Sequence, residues 1–393
     1  MGQVKSGLAG CLGLLILTCT ASGQTQSPSE LKVGGPAPEL QLSKLFQAPQ
    51  DANIDSNSLR GKVVVLEFWA TWCAPCIVAM PHLNELADKF KDRPVRFISI
   101  TDENESVVAP FLKRRQIKTW VGLDVNRSTE KSYSVKFLPT TIVIDQEGKI
   151  AAIIQPKMLS ETLLSDILNG KSTGLAQETT TVLQPAVQKP PAQDAAKPLL
   201  GITIERTRSG ENNWSMYPGR FKGQMTLKTA LAIIHGISET LIVGPSLLTE
   251  NRYDISASMT EGNKDALKSV LAQAIEASFK LRIHREMREL EVFVLTAPPK
   301  NELRQSSSES AHWSSAEGVL AASGAPLKNL VDGIAGLLGR PVVDETDLKG
   351  KYDWDILFDA KNPESIVDAI RKDVGLELKR AKRQIEALVV EIQ

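Results

Sequence analysis

The sequence predicts an α/β domain followed, across a linker, by a duplicated α+β domain. Three observations predict it. Strand-like and helix-like segments alternate over residues 33–170, the pattern of an α/β layer structure. Residues 171–198 are dominated by Pro, Ala, Gln and Thr and offer no apolar face, as an extended linker does. Residues 199–393 carry the same run of segments twice. A chain of 393 residues has room for these units, and 42% hydrophobic with 23% charged residues is an ordinary globular composition. The 46 basic and 46 acidic side chains cancel to a net charge of +0, which argues against a nucleic-acid partner. His82, His235, His284 and His312 are too dispersed to form a metal centre, and each reads as a surface or packing residue.

Residues 1–23 read as a signal peptide. Lys5 precedes an apolar run at 7–17 that is short for a permanent span, and Ala21, Ser22 and Gly23 form a small-residue cleavage site. An uncleaved membrane anchor is the competing reading. Export to the periplasm is the expectation under either. Cleavage after Gly23 removes Cys11 and Cys19 and leaves only Cys73 and Cys76, three residues apart. A loop that short removes little chain entropy, so the pair is a poor staple and points to chemistry.

Within the first domain, residues 62–69 are an apolar, β-branched run suited to a strand buried on both faces. After Cys76, apolar residues at Ile77, Met80, Leu83, Leu86 and Phe90 recur at helical spacing. Residues 95–100 form a second strand, 105–116 a helix and 120–125 another strand. Residues 141–145 and 150–154 bracket Gln146-Glu147-Gly148 as a hairpin, and 160–168 form a last helix.

Cys73-Ala74-Pro75-Cys76 therefore falls where a strand turns into an amphipathic helix. Cysteines three apart in a first helical turn share a face and can close a disulfide. Cys73, at the helix N-terminus, gains from unpaired N–H groups and the positive end of the dipole, which favour a thiolate. Cys76 lies one turn deeper. Cys73 is then expected to be exposed and to attack a partner's disulfide, with Cys76 resolving the mixed disulfide. Pro75 suits the first turn, where its missing N–H costs nothing. The bland readings are half a zinc site, for which no second Cys or His pair lies nearby, and an inert local bridge. Trp72 in front, the preceding strand and the export context favour a redox motif.

The segments Val33-Gly-Gly-Pro-Ala-Pro, Val65-Leu-Glu-Phe-Trp-Ala-Thr-Trp-Cys-Ala-Pro-Cys76 and Phe137-Leu-Pro-Thr-Thr-Ile-Val-Ile-Asp145 resemble exported thioredoxin-like oxidoreductases of the TlpA/ResA type. The resemblance covers about residues 33–170. It implies a thioredoxin fold, a mixed central sheet flanked by helices, with a strand–helix insertion near 105–130. It also implies that Pro139 is a cis proline facing the cysteines, and that the backbone of Leu138 pairs with a substrate chain. Glu67 falls at the buried acid beneath the cysteines, where a raised pKa would let it take the Cys76 proton; the alternative is a surface acid. Trp72 would shield the disulfide and shape the docking surface, or serve only as a core aromatic. Two positions depart from the family pattern: Ala79 stands where many relatives have an acid, and Phe137 where glycine is common. Pro81, inside the helix, matches the family.

In the second half, Met225-Thr-Leu-Lys-Thr-Ala-Leu231 answers Ala325-Pro-Leu-Lys-Asn-Leu-Val331, and Asn251-Arg-Tyr-Asp-Ile255 answers Gly350-Lys-Tyr-Asp-Trp354. Each copy is expected to run helix, strand, strand, helix and a terminal hairpin, the latter over residues 280–295 and 377–392. The polar stretch 300–315 is expected to separate two lobes. Residues 338–353 and 279–290 resemble DUF3738, a bacterial domain family of uncharacterised function. With no nucleophile–base pair or metal spacing, this half reads as a binding or assembly module with an unknown partner. Arg285, Glu286, Arg288 and Glu289 read as a solvated strand edge or a recognition strip.

The functional expectation is an exported thiol–disulfide oxidoreductase acting on protein disulfides or dithiols, fed by a membrane or periplasmic electron donor. It needs no cofactor beyond the Cys73–Cys76 disulfide. Two alternatives are a peroxidase of the peroxiredoxin type, although the Pro-x-x-x-Thr-x-x-Cys arrangement is missing, and a non-enzymatic thioredoxin-fold scaffold.

Overall fold

The computed structural model describes residues 31–171, 200–207, 213–217, 219–259 and 264–393. The expected signal peptide at 1–23 and the expected linker beyond Lys171 lie outside the described residues. No described helix is long and apolar enough to cross a membrane.

The first domain runs β1 (Lys44–Phe46), α1 (Ser56–Leu59), β2 (Val63–Phe68), α2 (Ala74–Lys89), β3 (Val95–Thr101), α3 (Glu105–Arg114), β4 (Trp120–Leu123), α4 (Ser128–Ser132), β5 (Thr140–Ile144), β6 (Ile150–Ile154) and α5 (Glu161–Leu168). Its six-stranded sheet has the order β1-β4-β3-β2-β5-β6. The β2–β3 and β3–β4 pairs are parallel, whereas β1–β4, β2–β5 and β5–β6 are antiparallel, so the sheet is mixed. The unbroken apolar run of β2 has its reason here: all six residues are buried. Val63 and Val65 pack with Leu83, Leu86 and Phe90 of the α2 region and with Leu164 and Ile167 of α5. Val64, Leu66 and Phe68 face the other way, onto Ile98, Ile142 and Tyr133. This is a thioredoxin fold. The short elements β1, α1 and α4 escape sequence patterning because three to five residues hold too little periodicity.

The second half is built from two topologically equivalent lobes. The first contains β7 (Leu200–Thr207), β8 (Asn213–Tyr217), β9 (Arg220–Thr226), α6 (Leu227–His235), β10 (Ile242–Val243), α7 (Leu247–Glu250), β11 (Arg252–Met259), α8 (Lys264–Phe279) and β12 (Leu281–Thr296). The second contains β13 (Arg304–Gln305), β14 (His312–Ala316), β15 (Val319–Pro326), α9 (Leu327–Leu338), β16 (Val342–Asp344), β17 (Lys351–Leu357), α10 (Ile366–Val374) and β18 (Glu377–Ile392). Their sheets have matching orders, β7-β11-β9-β8 and β13-β17-β15-β14.

Two expectations are corrected. The stretch 300–315 is no spacer, because it supplies β13 and β14 to the second lobe. The terminal hairpins do not exist. Residues 281–296 and 377–392 each form one 16-residue strand, and the two pair antiparallel from end to end. No glycine, proline or asparagine lies between Glu286 and Leu290 to turn the chain. The hydrophobic ends of each strand therefore serve different lobes. Leu281, Leu388 and Val390 join the core of the first, while Phe293, Leu295 and Leu378 join that of the second. Parallel β10–β18 and β16–β12 pairs complete this shared sheet. Arg285, Glu286, Arg288 and Glu289 sit mid-strand, paired with β18 on one side only because β16 reaches no further than Phe293. They are exposed or half-buried as a solvated edge is, with Arg285 bonded to Glu386 and Arg288 to Glu286.

Candidate active site

The turn from β2 into α2 sets the site. Cys73 is the N-cap of α2, and its Sγ accepts from the backbone N–H of Cys76 at 3.3 Å. Pro75 lies in the first turn, where no donor is lost. The two sulfurs are joined in a disulfide with a Cα–Cα separation of 5.2 Å. The Leu138–Pro139 peptide is cis, immediately before β5.

Glu67 lies on β2 with Val63 and Val65, the face that packs under α2. It is 4% exposed, so the surface-acid alternative does not hold. Thr141 Oγ1 donates to Oε2, and Oε1 is buried with no hydrogen-bond partner among the described residues. Burial pushes its pKa up to about 8, against the smaller lowering effect of Thr141. Glu67, Trp69 and Cys76 line one cavity of about 10 Å³, which places the acid beside the inner cysteine.

A second acid escaped the sequence reading. Glu103 follows β3 and accepts from Thr71 N at 2.6 Å and Thr71 Oγ1 at 2.7 Å. It thereby holds the loop that carries Trp72 and Cys73. Burial is the largest influence on its carboxyl and raises its pKa to about 7. The available signal was its position at the C-terminal end of a strand parallel to β2, the end at which α/β sheets place ligands.

Trp72 is half-buried: it packs against the apolar cluster around the cysteines, and its ring stacks on His312 at 4.7 Å between centroids. Trp72 and Leu138 line a cleft of about 700 Å³, together with Asp102, Glu103, His312 and Ser323. His82 is a packing residue, its Nε2 lying 2.7 Å from the carbonyl of Leu159.

The structure departs from expectation at the nucleophile. Cys73 is only 2% exposed, as is Cys76. The cover comes from the second lobe, whose Val319 and Ala321 share a buried apolar cluster with both cysteines.

A disulfide between cysteines three apart at a helix N-terminus, with a buried acid lining the same cavity as the inner cysteine and a cis peptide after Leu138, which packs against the cysteine cluster, defines a thioredoxin-fold disulfide oxidoreductase. Comparison with known proteins gives the family. Residues 32–168 match the Redoxin model, and residues 228–392 match the model of a protein of unknown function, DUF3738. The thiol-disulfide oxidoreductase ResA of a Bacillus cereus strain is 34% identical over 157 residues, covering 38% of this chain and 88% of that protein. ResA of Bacillus subtilis (strain 168) is 30% identical over 167 residues, covering 40% and 89%. A thiol:disulfide interchange protein of Chlorobium tepidum has a solved structure that is 26% identical, with a TM-score of 0.32, covering 35% of this chain and 99% of that one. The chain belongs to the ResA family of thiol–disulfide oxidoreductases and carries, in addition, a DUF3738 domain.

Proposed function

We propose that the protein exchanges dithiol and disulfide with protein partners through Cys73 and Cys76 after export. The observation that carries this reading is the Cys73–Cys76 disulfide at the start of α2, directly above Glu67. In the reducing direction the Cys73 thiolate attacks one sulfur of a partner disulfide. That S–S bond breaks, the departing partner thiolate takes a proton from solvent, and a mixed disulfide forms. Ionised Glu67 takes the proton of the Cys76 thiol, and Cys76 Sγ attacks Cys73 Sγ. The mixed disulfide breaks, the second partner sulfur leaves as a thiolate and takes a proton from solvent, and the intramolecular disulfide closes with two electrons passed to the partner. A membrane or periplasmic dithiol donor returns two electrons by the same exchange in reverse.

Several features support these roles. The Cys76 N–H and the helix N-terminus both favour negative charge on Cys73. A base whose pKa is about 8 is well matched to a thiol. Trp72 and Leu138, beside Pro139, provide the wall against which a partner chain docks. The chemistry requires no cofactor beyond the disulfide itself. The DUF3738 domain acts as a binding or assembly module. Redox titration in glutathione buffers, with insulin reduction as the activity assay, tests the reading: a reversible two-electron couple and turnover that depends on Cys73 are expected, and neither would be seen in an inert bridge.

A further inference from the structure

We propose that the second lobe of the DUF3738 domain is a fitted cap on the redox site, so that Cys73 meets a protein partner only when that lobe lifts away. The proposal rests on the oxidoreductase reading and concerns how access to that site is governed.

One face of the β14–β15 hairpin lies over Cys73. By their register, His312, Ser314, Ala316, Val319, Ala321 and Ser323 share that face. Ser314 Oγ accepts from Ala74 N at 2.7 Å and donates to the Trp72 carbonyl at 2.7 Å. A single hydroxyl thus occupies the backbone donor and the backbone acceptor on either side of the nucleophile. His312 covers the ring of Trp72. Beyond the hairpin, Asp355 of β17 accepts from Arg114 and Arg115 of the redox domain and from Arg304 of its own lobe, and Arg115 also reaches Asp373.

The duplication supplies an internal control. The β9–β11 and β15–β17 ladders align Lys222 and Ser256 of the first lobe with Ala321 and Asp355 of the second. The β8–β9 and β14–β15 ladders then align Tyr217 and Arg220 with Ala316 and Val319. In the first lobe these hairpin side chains, Tyr217, Arg220 and Lys222, are bulky and exposed. In the second they are small and apolar where they meet the disulfide, and an aspartate replaces Ser256 where two arginines approach. The burial patterns show the same difference: β9 alternates, while β15 is buried at seven consecutive positions because both of its faces are covered. Two lobes of one topology diverge at the positions that touch the redox domain. A fortuitous contact would leave no such difference.

The test uses the full chain. The double variant Arg114→Ala/Arg115→Ala removes the redox domain's side of the latch and touches neither cysteine nor Glu67. Insulin reduction, and iodoacetamide labelling of reduced Cys73, should each rise at least tenfold over the parent, with the redox potential unchanged. Equal rates in parent and variant would overturn the cap. Hydrogen exchange on the unmodified protein provides a check that needs no variant. The Ala74 amide, in the first turn of α2, has Ser314 Oγ as its acceptor and should exchange slowly, at the rate of lobe opening, whereas rapid exchange there would also defeat the proposal. If redox titration of both proteins found no reversible couple, the oxidoreductase reading would fall instead, and the exchange result would still decide whether the lobe covers the site.

Discussion

Arg115 Nε donates to Asp355 Oδ2 at 2.7 Å, joining the C-cap of α3 in the redox domain to β17 in the second lobe. Asp355 is 4% exposed and also accepts from Arg114 and Arg304, so one buried carboxylate is shared by three guanidiniums, of which Arg115 also reaches Asp373. Substituting Asp355→Ala would leave those charges facing one another. The arginines keep some contact with solvent, which screens part of the cost, so a loss of about 2–3 kcal/mol is expected. Urea unfolding followed by circular dichroism measures it.

The raised pKa of Glu67 makes stability depend on pH. In the folded chain its proton is held up to about pH 8, whereas the unfolded chain releases it near 4.5. The folded state therefore binds more protons between these values. Its contribution is fully present below pH 4.5 and is lost as pH rises through 8. Glu67→Gln should remove this dependence and stabilise the oxidised protein at pH 7 by roughly 3 kcal/mol. Denaturation midpoints at pH 5, 7 and 8 test it; parallel profiles for parent and variant would contradict the assignment.

The same variant should slow resolution of the mixed disulfide by about a hundredfold, the usual scale of a lost general base. Cys76→Ser should stop resolution altogether and accumulate Cys73-linked partners, while Cys73→Ser should form no adduct. Mass spectrometry of trapped complexes under non-reducing conditions distinguishes the three.

Glu103 provides a spectroscopic prediction. Its carboxylate accepts from the amide of Thr71, and a charged acceptor makes the stronger bond. The Thr71 amide resonance should move with a midpoint near pH 7 as this acid titrates. Glu103→Gln should abolish that titration while retaining the fold. A Thr71 shift that is flat from pH 5 to 9 in the parent would rule the coupling out.

Trp354 is 2% exposed in the core of the second lobe, against Leu320, Ile334 and Leu376. Trp354→Ala should destabilise that lobe by about 3–5 kcal/mol through the lost burial and the cavity left behind. Differential scanning calorimetry should show it as a lowered transition for the C-terminal half.

Much of the redox domain was legible in the chain. The apolar run of β2, the amphipathic spacing of α2 and the hairpin around Gly148 are local patterns imposed by backbone geometry, and they located Cys73 at a helix N-terminus. Tyr253 and Tyr352, in matched segments, revealed the duplication. The exchange of long strands between lobes was not legible, because alternating residues show that a strand pairs but not with which strand. Glu103 was hidden for a related reason: a lone acid in a loop acquires its role only from the backbone it meets across 32 residues. The cover over Cys73 left one readable trace, the change from Arg220-Phe-Lys-Gly to Val319-Leu-Ala-Ala, which becomes meaningful once the two lobes are superposed.

By itself, the order of residues determined the periodic elements and the dithiol, which depend on neighbours a few positions apart, and the repeat, which shows when one half is laid on the other; Glu67 came from the family resemblance. Tertiary structure alone decided which surface lies over the sulfur. Ser314 and Ala74 are 240 positions apart, and a bond between groups that distant follows from the docking of whole folded units, to which short-range spacing is blind.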